Sequence, residues 1–237
     1  MTPATPTEVV VFDIDDTLYL ERDYVRSGFN AVGAWAEENL GIHGFAKLAW
    51  AAFEDGTRGT IFDTALIGCG LEPTPELTGR LVGVYRGHDP AIALLPEAAR
   101  CLATLKGRVR LAVVSDGPRL SQLAKVRALG LEALVDEIIL TEELGPGFGK
   151  PSPRAFELVE ERLGAAGPAC VYVADNPAKD FDGPAGRGWR TVRIRLPGGL
   201  HRDAPNGLAV SAELEDLTTL TALLGLEERA DIEPRRP

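Results

Sequence analysis

Five short apolar runs punctuate the chain: Val9–Phe12, RLAVVS (Arg110–Ser115), EIIL (Glu137–Leu140), CVYVA (Cys170–Ala174) and TVRI (Thr191–Ile194). None shows the long alternation of a half-exposed strand. Each therefore predicts a strand covered on both faces, as in a parallel sheet. Helical spacing lies between them. SQLAKVRAL (Ser121–Leu129) puts Leu123, Val126 and Leu129 on nearly one face before Gly130 stops it, and PRAFELVEERLG (Pro153–Gly164) repeats this with Phe156, Val159 and Leu163. Strand and helix in this rhythm imply right-handed βαβ units around an open parallel sheet, an α/β fold.

Between residues 20 and 93 the rhythm breaks and no strand pattern is present. YVRSGFNAVGAWAEENL, FAKLAWAAFEDG, TIFDTALIGCG and PELTGRLVGVYRG each carry apolar residues at helical spacing, joined by short glycine or proline turns. They predict an all-helical, four-helix insert over 20–93, with 1–19 and 94–226 forming the α/β core. The last residues, 227–237, have few apolar groups and predict a flexible tail.

Ligands of open α/β sheets bind beyond the carboxyl ends of the strands. Polar residues gather there. Asp13, Asp15 and Thr17 follow the first run; Ser115, Asp116 and Gly117 end the second; the third leads to Lys150; Asp175, Asn176 and Asp180 follow the fourth. Carboxylates as crowded as Asp13, Asp15 and Asp16 repel one another unless a cation sits among them. Hard oxygen ligands such as Asp13 and Asp175 suit Mg²⁺. A carboxylate beside a phosphoryl group is a competent nucleophile, and a second one two residues on lies on the same side of the pleat, placed for acid and base work. A hydroxyl at Ser115, the backbone around Gly117 and the charge of Lys150 suit phosphate oxygens. Lysine is scarce here: five of the 25 Lys and Arg residues.

Composition narrows the partners. With 237 residues, 45% of them hydrophobic, the chain holds a large core without disulfides. Cys69, Cys101 and Cys170 are odd in number and form no CxxC pair, which points to a reducing, cytoplasmic setting and away from zinc. A net charge of −10 repels nucleic acid. No apolar run has membrane-spanning length, and MTPATPTEVV lacks the pattern of a signal peptide.

Four of these stretches together resemble the haloacid dehalogenase superfamily: DIDDT (Asp13–Thr17), the apolar strand ending in Ser115, Lys150 in GKPSPRAF, and Asp175 to Asp180 in VADNPAKD. The resemblance spans roughly residues 8 to 224. It implies a Rossmann-like core with a small helical cap between the first and second motifs. It also implies roles: Asp13 as nucleophile and Asp15 as general acid/base. Ser115 and Lys150 would bind phosphate, together with Thr17, Asp116 and Gly117. Asp13, the Asp15 carbonyl, Asp175 and Asp180 would form a Mg²⁺ site. Two positions depart from the usual pattern. Ala174 stands where many members have Gly, and Asp116 where many have Asn, adding a negative charge beside a phosphate site unless its side chain turns away.

The expected activity is hydrolysis of a small phosphorylated metabolite, a sugar phosphate or related biosynthetic intermediate, by a monomer or homodimer. A phosphomutase or a haloacid dehalogenase is the alternative on the same fold, and a non-catalytic metabolite-binding protein the alternative of another class.

Overall fold

The structure, a computed structural model, describes residues 5–226; the tail expected at 227–237 lies outside them. In chain order the elements begin with β1 (Val9–Phe12), α1 (Glu21–Leu40), α2 (Phe45–Glu54), α3 (Ile61–Gly68), α4 (Pro75–Gly87) and α5 (Pro96–Leu105). There follow β2 (Arg110–Ser115), α6 (Arg119–Ala128), β3 (Glu137–Leu140), α7 (Arg154–Leu163) and β4 (Cys170–Ala174). The chain continues with α8 (Asp182–Gly186), β5 (Arg190–Ile194), β6 (Ala212–Leu214) and α9 (Leu220–Leu223). The five expected strands are present. β6, α5, α8 and α9 were not anticipated: β6 is three residues long with the pattern AEL, too short to show a period.

The chain divides into two compact units. Among the described residues, the first comprises those up to Leu20, Leu94–Asp116 and those from Gly130 to Leu226. Its sheet runs β3-β2-β1-β4-β5-β6, every pair parallel. β1 and β4 are buried at every position, which explains their unbroken apolar sequences. The chain leaves β1 for β2 on one side and later returns to β4 on the other. Strand order therefore reverses at β1, opening a crevice at its carboxyl end. Phe12 pairs with Val113 and with Val173, so Asp13, Ser115 and Asp175 emerge within about one residue of the same level. One side of the sheet packs Val9, Val11, Val114 and Tyr172 against Phe156 and Val159 of α7, with Phe181 and Trp189 closing the cluster. Gly183 is needed where α8 begins: a Cβ there would lie 2.7 Å from the Pro151 carbonyl oxygen.

The second unit comprises Glu21–Ala93 and Gly117–Leu129. Four helices, α1 to α4, form its body as the spacing predicts, around Phe29, Val32, Phe45, Phe53, Leu66 and Leu81. Thr74 caps α4 by accepting from the Leu77 N–H at 3.2 Å. The expected core range of 94–226 includes α6, yet by its contacts α6 groups with these helices. Ser121 reaches the Arg86 carbonyl, and the Lys125 ammonium sits 4.3 Å from the centre of the Tyr24 ring. Among the described residues no helix is long and apolar enough to cross a membrane.

Candidate active site

At the carboxyl end of β1 the ladder continues for one residue: the Asp13 N–H donates to the Val173 carbonyl at 2.9 Å. That bond fixes the Asp13 main chain against β4, and its carboxylate is almost fully buried. Lys150, delivered by the loop after β3, has no exposed side-chain surface. Its ammonium donates to Asp13 Oδ1 at 2.8 Å and to the Tyr172 hydroxyl at 3.0 Å, and lies 2.7 Å from Asp180 Oδ1. The Tyr172 hydroxyl in turn reaches the Val114 carbonyl at 3.4 Å. Asp180 is held from its other oxygen, Oδ2, which accepts the Asn176 N–H at 2.9 Å.

Carboxylate oxygens of Asp13, Asp175 and Asp180 lie within 4.8 Å of one another, all buried. The Lys150 ammonium contacts two of these three carboxylates, with Lys179 adding a weaker pull on Asp13. The electrostatic consequence is large. Burial, with Asp13 and Asp180 nearby, pushes Asp175 up from 3.8 to about 9. Burial raises Asp13 to about 6, against the lowering pull of Lys150. Burial disfavours the Lys150 charge, yet Asp13 and Asp180 together hold it well above its usual range. An all-oxygen, buried cluster short of positive charge fits a hard divalent cation, which would supply the missing charge.

The other expected residues fall around this cluster. Asp15 is half-buried and accepts a short hydrogen bond from the Tyr19 hydroxyl. Asp16 adopts a left-handed backbone with φ 49°, which aspartate tolerates better than most residues, and its Oδ2 accepts the Leu200 N–H at 2.7 Å. Thr17 is fully buried, and its hydroxyl has no protein partner among the described residues. Ser115 is buried at the last position of β2. Asp116 turns towards the β3–α7 connection, where Oδ1 accepts the Thr141 hydroxyl at 2.6 Å and the Lys150 N–H at 3.2 Å, and Oδ2 lies 3.6 Å from Lys179. Its carboxylate positions the main chain of Lys150 and offers no donor for a phosphate. Gly117, with φ 128°, begins the second segment of the second unit.

The sequence reading passed over three residues. Tyr172 lies inside CVYVA, where its phenol read as core, and its hydroxyl meets Lys150. His201 Nε2 lies 3.0 Å from Asn176 Nδ2; because Asn176 Oδ1 already accepts from the Ala178 N–H, Nδ2 is the donor and the imidazole nitrogen accepts. Burial lowers the His201 pKa, in keeping with that neutral form. Arg193 sits in the middle of β5 with no exposed surface. A charged residue inside an apolar run was the available signal.

The haloacid dehalogenase-like hydrolase family profile matches residues 7–186. The chain belongs to this family. It is 32% identical over 199 residues to a glyceraldehyde 3-phosphate phosphatase of Methanopyrus kandleri, covering 79% of this chain and 84% of that protein. It is 29% identical to an (S)-2-haloacid dehalogenase of Xanthobacter autotrophicus, covering 93% and 87%. Among solved structures, the HAD-hydrolase YfnB of Bacillus subtilis, bound to magnesium, superposes with a TM-score of 0.65 at 21% identity, covering 93% of this chain and 99% of that one. That likeness is one of fold.

Proposed function

We propose that this hydrolase is a Mg²⁺-dependent phosphatase acting on a small sugar phosphate, of the class to which glyceraldehyde 3-phosphate belongs, through an aspartyl-phosphate on Asp13. The observation that carries the reading is the buried cluster in which Lys150 bridges Asp13 and Asp180 while Asp175 stands within reach of both. The phosphatase relative sharing about a third of its residues supports the substrate class.

In this reading Asp13 attacks phosphorus and the ester P–O bond breaks. Lys150 holds Asp13 Oδ1, so the rotation of the carboxylate is settled before substrate arrives. Asp15, steadied by the Tyr19 hydroxyl, gives a proton to the departing alkoxide. It then takes a proton from the water that attacks the phosphoryl group, and Asp13 is regenerated. Ser115, the Thr17 hydroxyl and Lys150 neutralise or donate to the phosphoryl oxygens. Asp13, Asp175, Asp180 and the Asp15 carbonyl would hold Mg²⁺, whose charge balances both the carboxylates and the phosphate.

The dehalogenase relative carries a second reading, displacement of a halide by Asp13 at carbon. A departing halide needs no proton, so Asp15 would have no task there, and the phosphatase is preferred. Phosphate release from p-nitrophenyl phosphate and a panel of about a hundred metabolite phosphates tests this, run with Mg²⁺, with EDTA and with Asp13→Asn. Mg²⁺-dependent release, best on a small sugar phosphate and lost in the variant, is expected. Metal-independent chloride release from 2-haloacids, with no phosphate release, would overturn it.

A further inference from the structure

Arg193 makes an unusual commitment for a residue outside the motifs. It is the largest fully buried side chain among the described residues. Its Nε donates to the main-chain carbonyl of Asp175 at 3.1 Å. Nη1 donates to the Ala204 carbonyl at 2.8 Å and to Asn206 Oδ1, and Nη2 donates to the His201 carbonyl at 2.6 Å. The nearest carboxylate, Glu213, is 4.0 Å away. The guanidinium is therefore spent chiefly on neutral acceptors, three of them main-chain carbonyls from two separate segments. Buried carbonyls need donors, and the planar fork of arginine serves several at once where lysine cannot.

Those segments lead straight to the carboxylates. Asp175 is one of the three clustered acids, and its main chain is held directly. The loop from Leu200 to Asn206 is held at His201 and Ala204, and it acts in two directions. The His201 ring accepts from Asn176, whose N–H donates to Asp180. The Leu200 N–H donates to Asp16, next to Asp15. One side chain thus braces the first and fourth motifs, which lie about 160 residues apart in the chain.

We infer that Arg193 is a positioning residue for the divalent-cation site: it sets the spacing of Asp175 and Asp180 through the Asp175 carbonyl and the His201–Asn176 link. The inference rests on the proposed Mg²⁺ site. Outer partners that orient ligands typically change metal affinity by about 10–100-fold when removed, and Arg193 stands at that remove.

The test is Mg²⁺ affinity by titration calorimetry on the purified full chain, with circular dichroism to establish that each variant is folded at the working temperature. Thr191→Val is the structural control. Thr191 shares the buried face of β5, but bonds the chain beyond that loop, at Ala209 and Ser211 just before β6. Arg193→Met is expected to bind Mg²⁺ about 10–100-fold more weakly and to recover turnover at high Mg²⁺, whereas Thr191→Val keeps wild-type affinity. Wild-type affinity in folded Arg193→Met, or equal loss in Thr191→Val, overturns the inference. If Arg193→Met does not fold, His201→Phe decides: a several-fold weakening is expected, and unchanged affinity refutes the link. A wild-type protein that binds no Mg²⁺ overturns the metal reading itself, an outcome distinct from a wild type that binds and a variant that binds equally well.

Discussion

Replacing Asp175 by asparagine should stabilise the metal-free protein, although it removes a proposed ligand. The carboxyl is raised from 3.8 to about 9 by burial and by Asp13 and Asp180, so the folded chain prefers it protonated. A raised carboxyl contributes stability that is complete below its unfolded value, near 4, and is lost as pH climbs towards about 9. At pH 7 the folded state must keep a proton that the unfolded chain has released across about three pH units. At about 1.4 kcal/mol per unit this costs up to about 4 kcal/mol. Asparagine keeps the shape and carries no charge, so the cost disappears. For a chain of this size that corresponds to a rise in Tm on the order of 10 °C. Thermal melts in EDTA from pH 5 to 9 read it. The advantage of Asp175→Asn should be small at pH 5 and widen with pH. In excess Mg²⁺ the order should reverse, since wild type gains RT ln(1 + [Mg²⁺]/Kd) and the variant gains little. A difference in EDTA that does not vary with pH, or a variant less stable throughout, would refute the electrostatic account of the cluster.

Further expectations follow from the same geometry. Asp15→Asn should lower kcat/KM, which reads the step that expels the leaving group, by about 10²–10⁴-fold on an alkyl phosphate and far less on p-nitrophenyl phosphate, whose leaving group needs no proton; equal losses of kcat/KM on both would remove Asp15 from the acid role. Lys150→Met leaves Asp13 and Asp180 without their shared counter-charge and should cost about 3–5 kcal/mol in EDTA at pH 8, measured by urea unfolding. That loss should shrink near pH 5, where Asp13, raised to about 6, takes up a proton. Asp116→Asn keeps an oxygen for Thr141 and the Lys150 N–H while removing a charge, so fold and Tm should hold and KM should fall a few-fold. A collapse in Tm would show that the ion pair with Lys179 matters more than these hydrogen bonds.

Local pattern alone determined a good deal of this protein. Parallel strands buried on both faces are apolar, so β1 and β4 stand out as unbroken apolar runs and β2, β3 and β5 as partly apolar ones. The amphipathic helices of the second unit announce themselves by period. Asp13, Lys150, Asp175 and Asp180 were legible because each follows a recognisable strand, or the loop after one, and strand ends converge in this topology. Only the folded chain decided what those groups do to one another. Lys150 stands 137 residues from Asp13, and no spacing rule says that its ammonium lies between Asp13 and Asp180. Asp116 read as a threat to phosphate; the structure turns it onto Thr141 and the Lys150 main chain. Tyr172 and Arg193 lie inside runs that read simply as buried strands. Their contacts are with buried carbonyls and an ammonium that need partners, and those needs exist only once distant segments have been brought together away from water.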